Sequence, residues 1–376
     1  VTVQLTEWLR GLSATLVRAR VRLHNPSVIE PDMAVLFVAN HFTRIETLLL
    51  PCILQEQMGL APRVLAPARL FQGRIGRYLK ATGTVSTEDP DGDTTIVQPL
   101  LRGEHPWIIF PDDPLINSKE DFRDNTSASP SALHDNAAAL ALRTAYYRAK
   151  FRCPCSREPR DDLDRALQRF GLDNTEVVKA RRTVIIPLTI TYYPVRRREN
   201  LFLRAAAQLG PDLNERALAD LSVEGTALAE NMDIDITLGE PLDMGAFLNL
   251  PEYAPVMARK LNAFAAFESD PQERFQRTAR AITGTIRNAV RAGVTVNFDH
   301  LFAGLIKEQP EGRLFKERDY RERLFLCALQ AQKKSRHLHP ALLAQCSALL
   351  NDEEHPPFQE FLRLAVEKQY VVDTEW

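Results

Sequence analysis

The stretch from Ala34 to Pro51 constrains the fold most, because it joins a buried strand to a helix through a small polar cluster. Ala34 to Ala39 is a short, continuous apolar run, the pattern of a central strand covered on both faces. Asn40, His41, Thr43, Arg44 and Glu46 follow at once, and Leu48 to Leu50 opens a helix that must pack back on the sheet. In open α/β sheets, sites are built just past the carboxyl end of a strand. His41 is expected in the turn and Glu46 in the first helical turn, so that the carboxylate folds back towards the imidazole. Such a pair is a general base with an orienter, since the acid fixes the tautomer and stabilises the imidazolium. A purely structural His/Glu pair is the competing reading.

Along the chain, Pro62–Pro67, Gly83–Thr87 and Trp107–Phe110 read as further short strands. Val184–Tyr193 reads as the last core strand, broken by Pro187, and the alternating Met232–Gly239 as an edge strand that closes the sheet. His134 opens a helix running to Arg148; either its free amides bind an anion or His134 is an exposed cap residue. The polar segment Ser118–Ala132 reads as a long loop over the site. From Pro251 the pattern is helical only, over Pro271–Ala292, Phe298–Ile306, Tyr320–Lys333, Pro340–Leu350 and Pro357–Lys368. The expected fold is therefore α/β, with a mixed, mostly parallel sheet flanked by helices and a helical C-terminal region. Its divisions are an amphipathic N-terminal helix in 1–30, an α/β domain in 31–250 and the helical region in 251–376.

Charge and cysteine usage narrow the function. A formal net charge of −2 argues against a nucleic-acid binder driven by bulk charge. The run Arg196–Arg198 lacks interleaved aromatics and reads as a solvated turn or a headgroup contact. Five cysteines, an odd number without repeated spacing, fit a reducing cytoplasm better than a disulfide framework. Cys153 and Cys155 lack the second pair that a zinc site needs. No apolar run reaches the roughly 18 residues of a membrane-spanning helix, and there is no signal-peptide pattern, although the chain begins at Val1 and a segment upstream is compatible with that. Leu5–Val21 carries Leu5, Trp8, Leu9, Leu12, Leu16 and Val17 on one helical face, with Arg10, Arg18, Arg20 and Arg22 on the other. This basic amphipathic helix suits either an anionic membrane interface or packing on the domain.

Four blocks in order give the chain a family resemblance. Asn40-His41-Phe-Thr-Arg-Ile-Glu46 resembles the His-(four residues)-Asp/Glu block of the glycerolipid acyltransferases, which include glycerol-3-phosphate and 1-acylglycerol-3-phosphate (lysophosphatidate) acyltransferases. Gly76–Lys80 leading to Gly83-Thr-Val85 is similar to the second block, Ile108–Asp113 to the third, and Val184–Leu188 to the fourth. The resemblance spans about residues 30 to 245 and suits a bacterial-type member with a divergent third block.

The resemblance implies acyl transfer in lipid metabolism and phospholipid biosynthesis. His41 would be the base, Glu46 its orienter, and Arg44, Arg77, Lys80, Gly83, Asp112, Asp113, Lys119 and Pro187 would line the substrate site. Two departures stand out. The arginine that ends the family's second block is replaced by Asp89 or its surroundings, and the usual Phe-Pro-Glu-Gly is Phe110-Pro111-Asp112-Asp113. The expected reaction moves a fatty acyl group from an acyl thioester, acyl-CoA or acyl carrier protein, to a hydroxyl of glycerol 3-phosphate or a lysophospholipid. Attack would be direct, since no serine or cysteine sits in a nucleophile motif, and no metal or organic cofactor is expected. The expected location is the cytoplasm, peripherally bound to the inner face of the cytoplasmic membrane, with a donor thioester, a glycerolipid acceptor and a membrane surface as partners and no nucleic acid. Two rival readings are a non-catalytic lipid-binding member of the same fold and a thioester hydrolase.

Overall fold

In the computed structural model of the protein, the described residues are 20–41, 46–66, 84–86, 92–110, 132–152, 164–165, 167–168, 170–172, 175–194, 232–258, 269–335, 337–351 and 354–372. Among them, eight strands form one sheet: β1 (Arg20–His24), β2 (Met33–Ala39), β3 (Arg63–Ala66), β4 (Val85–Ser86), β5 (Trp107–Ile109), β6 (Arg182–Tyr193), β7 (Asp233–Leu238) and β8 (Leu242–Asp243). The order is β1-β7-β6-β2-β5-β3-β4, and β8 also pairs with β6. Five strands from β6 to β4 run parallel, while β7 opposes β6 and carries β1 parallel to itself. This is the mixed, mostly parallel sheet flanked by helices that the strand pattern predicts.

Burial explains why β2 is central: all seven of its residues are buried, as a strand covered on both faces requires. Its alternate residues Met33, Val35, Phe37 and Ala39 join Leu49, Leu50, Ile53 and Leu54 of helix α1 (Glu46–Met58) in one cluster. The spacing of those four helical residues puts them on one stripe, so α1 lies flat on this face. Leu36 and Val38 point the other way, into a second cluster with α2 (Gly92–Arg102), α3 (Ala132–Arg152) and α7 (Ser269–Ala292). Ala279, Ile282, Ile286 and Val290 of α7 share that cluster with Leu36 and Ile185, so a helix from the C-terminal third covers the sheet itself.

Three expectations are corrected at the other side of the sheet. Pro187 does not break β6, which runs without interruption from Arg182 to Tyr193. The neighbouring chain adapts instead: Leu188 faces Leu238 but Ile185 faces Leu242, so one extra residue is accommodated around Gly239–Pro241 as a bulge. Gly239 donates its N–H to the Pro187 carbonyl at 2.8 Å, and a Cβ there would lie 3.2 Å from that oxygen. The second correction is that β7 is not an edge strand, because β1 covers it. Its polar residues suggested a solvated face, but Asp233 and Asp235 are buried under ion pairs from β1.

The third correction follows from the second. Arg20 and Arg22 do not continue an N-terminal helix; Arg20–His24 alternates with period two and forms β1. In register, Arg20 faces Asp233 and Arg22 faces Asp235, while Val21 and Leu23 pack on the opposite cluster. Leu5 to Arg18, including Trp8, lies outside the described residues. None of the helices among the described residues is long and apolar enough to cross a membrane.

Beyond the small helices α4 (Glu176–Lys179), α5 (Met244–Leu248) and α6 (Ala254–Ala258), the chain ends in α8 (Phe298–Lys307), α9 (Glu317–Lys334), α10 (Pro340–Gln345) and α11 (Pro356–Glu367). These match the predicted helical segments closely, except that Cys346–Leu349 tightens into a 3-10 turn after α10. They build a third cluster around Phe298, Phe302, Leu324 and Phe358, which Tyr193 from the end of β6 joins.

Candidate active site

The chain leaves β2 towards β3 on one side of the sheet and returns through β5 to β6 on the other. The gap between the carboxyl ends of β2 and β5 is therefore the switch point at which open α/β sheets place their sites. His41 follows the end of β2, and Phe110 follows the end of β5. Their rings pack at a centroid distance of 4.8 Å, tilted by 34°. The two chain ends that flank the switch point thus meet through an imidazole and a phenyl ring.

Glu46 opens α1, and its carboxylate is completely buried. One oxygen lies 3.6 Å from His41 Nε2, an ion-pair distance longer than a hydrogen bond. The other accepts a hydrogen bond of 2.9 Å from the hydroxyl of Tyr192. The position at the first helical residue adds the favourable field of the helix N-terminus to a negative charge. The His41 side chain keeps 19% of its surface accessible, so the pair has a dry carboxylate behind and a wet imidazole in front. A proton on Nε2 directed at Glu46 would leave the neutral ring with its basic lone pair on Nδ1.

The turn that carries His41 is itself tied down. β6 runs on past the end of β2, and Asn40 pairs with its exposed backbone as a further strand residue would. The Asn40 side chain donates to the Ile190 carbonyl at 2.9 Å and accepts from the Ile190 N–H at 2.7 Å, while its own N–H reaches the Leu188 carbonyl at 3.4 Å. Ile190 and Tyr192 lie on the same face of β6, so the strand that anchors Asn40 also aims the hydroxyl that holds Glu46.

No protein-family model matches this chain, and no curated protein matches it. Among solved structures, the 1-acyl-sn-glycerophosphate (LPA) acyltransferase PlsC from Thermotoga maritima is similar over 72% of this chain and 76% of its own, with 12% sequence identity and a TM-score of 0.33. A likeness of that size is silent about individual site residues.

Of the residues singled out in the sequence, His41 and Glu46 come together as expected, and Pro187 lies on β6 opposite Val38, one strand from the pair. Arg44, Arg77, Lys80, Gly83, Asp112, Asp113 and Lys119 lie outside the described residues, as do Asp89, Cys153, Cys155 and Arg196–Arg198. His134 falls in the first turn of α3. Sequence reading missed Tyr192 and gave Asn40 no role of its own. Tyr192 had one visible signal, a phenol two residues beyond Ile190 on a strand face otherwise composed of aliphatic side chains. Among the described residues no group of three or more His, Cys, Asp or Glu side chains is placed to hold a metal ion.

Proposed function

We propose that this protein is an acyltransferase in which His41 deprotonates a hydroxyl for direct attack on an acyl thioester. The observation that carries the reading is the line Tyr192–Glu46–His41 at the carboxyl end of β2, with a buried carboxylate behind an accessible imidazole. A dry, hydrogen-bonded carboxylate stabilises the imidazolium that forms as the proton moves, and tightens onto the ring when substrate excludes water.

In this reading, His41 Nδ1 takes the hydroxyl proton as the oxygen bonds to the thioester carbonyl carbon. The tetrahedral intermediate then collapses, the C–S bond breaks, and the thiolate leaves with the proton returned from the imidazolium. Glu46 is the positioning residue, and Tyr192 holds Glu46 in turn. A covalent acyl-enzyme on Cys52 of α1 is disfavoured, because burial first and Glu56 second push its thiol up.

The order of the four sequence blocks extends the reading to a fatty acyl group, carried by coenzyme A or acyl carrier protein, and to glycerol 3-phosphate or a lysophospholipid as acceptor, at a membrane surface. Purified protein incubated with labelled acyl-CoA and each acceptor, analysed by mass spectrometry, tests it. His41→Ala is expected to lower transfer by about 10²- to 10⁴-fold and Glu46→Gln by less, with both variants folded. Near-normal turnover by His41→Ala would rule the mechanism out, and free acid released at the same rate with or without acceptor would identify a hydrolase instead.

A further inference from the structure

Two buried histidines cap helices in the C-terminal unit, and both do so through a ring nitrogen that works only when unprotonated. His339 precedes α10, and its Nδ1 accepts the Ala341 N–H at 3.2 Å while Nε2 lies 2.9 Å from an Asp233 oxygen. His355 precedes α11, and its Nδ1 accepts the Phe358 N–H at 3.1 Å. His339 is 4% exposed and His355 2%, so water cannot stand in for the lost acceptor. His300 closes the capping box of α8 in the same manner, its Nδ1 accepting the Asn297 N–H at 3.3 Å, and burial lowers its pKa as well, although the residue as a whole is more exposed than the other two.

We propose that the C-terminal helical unit is an acid-sensitive latch, held closed by His339 and His355 only while both imidazoles are neutral. Protonating Nδ1 replaces an acceptor with a donor that faces a backbone N–H, and puts a positive charge at the positive end of a helix. The groups around each ring grade the response. His355 lies edge-on to Phe298; the guanidinium of Arg321 from α9 opposes its charge, while its own backbone and that of Gln345 favour it, by less than burial opposes it. His339 faces Asp233 and Asp235 from β7, which favour its charge, and Arg22 from β1, which opposes it, with the Tyr193 ring at 4.4 Å. For both rings burial is the leading effect and lowers the pKa. The unfolded chain therefore binds protons more readily than the folded one. The stabilisation is complete above about pH 6.5 and is lost as pH falls from there through the folded-state pKa.

The latch bears on the sheet as well as on itself. His339 binds Asp233 of β7, the segment before α10 bridges to Val296 through Leu338, and Thr295 donates to Thr191 of β6. Opening it uncovers Phe298, Phe302 and Phe358 and frees Tyr193, the residue next to the one that holds Glu46.

Hydrogen exchange of the full-length protein at pH 7.5 and 5.5, expressed as protection factors, tests the latch whether or not the protein transfers acyl groups. Residues 340–345 and 356–367 are expected to lose protection in acid, by up to about tenfold per pH unit for each cap below pH 6.5. His355→Asn, a non-titrating cap, is expected to keep α11 protected at pH 5.5 while α10 still loosens. Equal protection at both pH values in the natural protein, or a loss in His355→Asn as large as in the natural protein, overturns the proposal. Should His355→Asn fail to fold, imidazole NMR of the unaltered protein decides: neutral His339 and His355 with the proton on Nε2 at pH 6 support the latch, and titration midpoints at or above pH 6.5 refute it.

Discussion

Replacing Arg22 by methionine tests the charged layer between β1 and β7 most directly. Its guanidinium makes two 2.8 Å hydrogen bonds to the two oxygens of Asp235 and a third, of 2.9 Å, to Asp233. The Asp235 side chain is 1% exposed and, among the described residues, keeps His24, at 2.8 Å, as its remaining ion-pair partner once Arg22 is gone. Removing one partner from a buried ion pair destabilises by about 3–5 kcal/mol, because the remaining charge stays buried without compensation. Arg22 retains some solvent contact, which places the expected loss near the lower end of that range. Arg20 supplies the internal control: it is 76% exposed and also bonded to Asp233, so Arg20→Met is expected to cost no more than about 1 kcal/mol.

The Asp235 carboxyl adds a pH signature. Burial pushes its pKa up, but hydrogen bonds from Arg22 and then His24 outweigh burial and hold it below the usual range. Its contribution is present above about pH 3.9 and disappears as pH falls below that value. Without Arg22 the burial effect prevails, and the acid unfolding midpoint moves to higher pH. Urea titration at pH 7 measures the loss of stability, and an acid titration from pH 7 to pH 2 measures the midpoint. Equal stability of the Arg22→Met and Arg20→Met proteins, with unchanged acid midpoints, would refute the ion-network argument, and a double variant Arg22→Met with Asp235→Asn should recover part of the loss.

The remaining predictions concern the candidate site. Tyr192→Phe removes a hydrogen bond to a buried charged group, worth about 1.5–3 kcal/mol, and is expected to lower kcat of the proposed transfer by about 10- to 100-fold with KM little changed; a change confined to KM would place Tyr192 in substrate binding instead. Asn40→Ala leaves the N–H and C=O of Ile190 without their side-chain partner and is expected to lower stability by about 1–3 kcal/mol, read as a drop in Tm. Asn40→Asp, which still accepts from the Ile190 N–H but sets an oxygen against its carbonyl, should be no better, and a Tm unchanged in both variants would show that Asn40 is dispensable to the turn.

Local pattern made β2, the turn and α1 legible, and with them the His41–Glu46 pair, because all of that information lies within one strand-turn-helix unit. The rest depended on residues far apart in sequence. Tyr192 reaches Glu46 across 146 positions, and Asn40 reaches Ile190 across 150. Nothing in the apolar alternation of β6 distinguishes a tyrosine that packs from one that donates to a carboxylate. Pro187 misled for a related reason: a proline argues against a central strand only if the neighbouring strand cannot shift, and the bulge at Gly239 lets it shift.

The charged layer shows the same limit in its sharpest form. Asp233-Ile-Asp-Ile-Thr237 and Arg20-Val-Arg-Leu-His24 each read as a segment with one polar face, and taken singly each belongs at a solvated surface. Together they fit side by side in parallel register, with Arg20 opposite Asp233 and Arg22 opposite Asp235, so that the carboxylates of one segment are buried beneath the cations of the other. Period-two charge patterns of opposite sign in distant segments are therefore a pairing signal that hydrophobic periodicity discards. The same pairing binds the site to the C-terminal unit. Asp233 faces Tyr193 across the sheet and receives His339 from the helices, one residue along β6 from the phenol that holds Glu46.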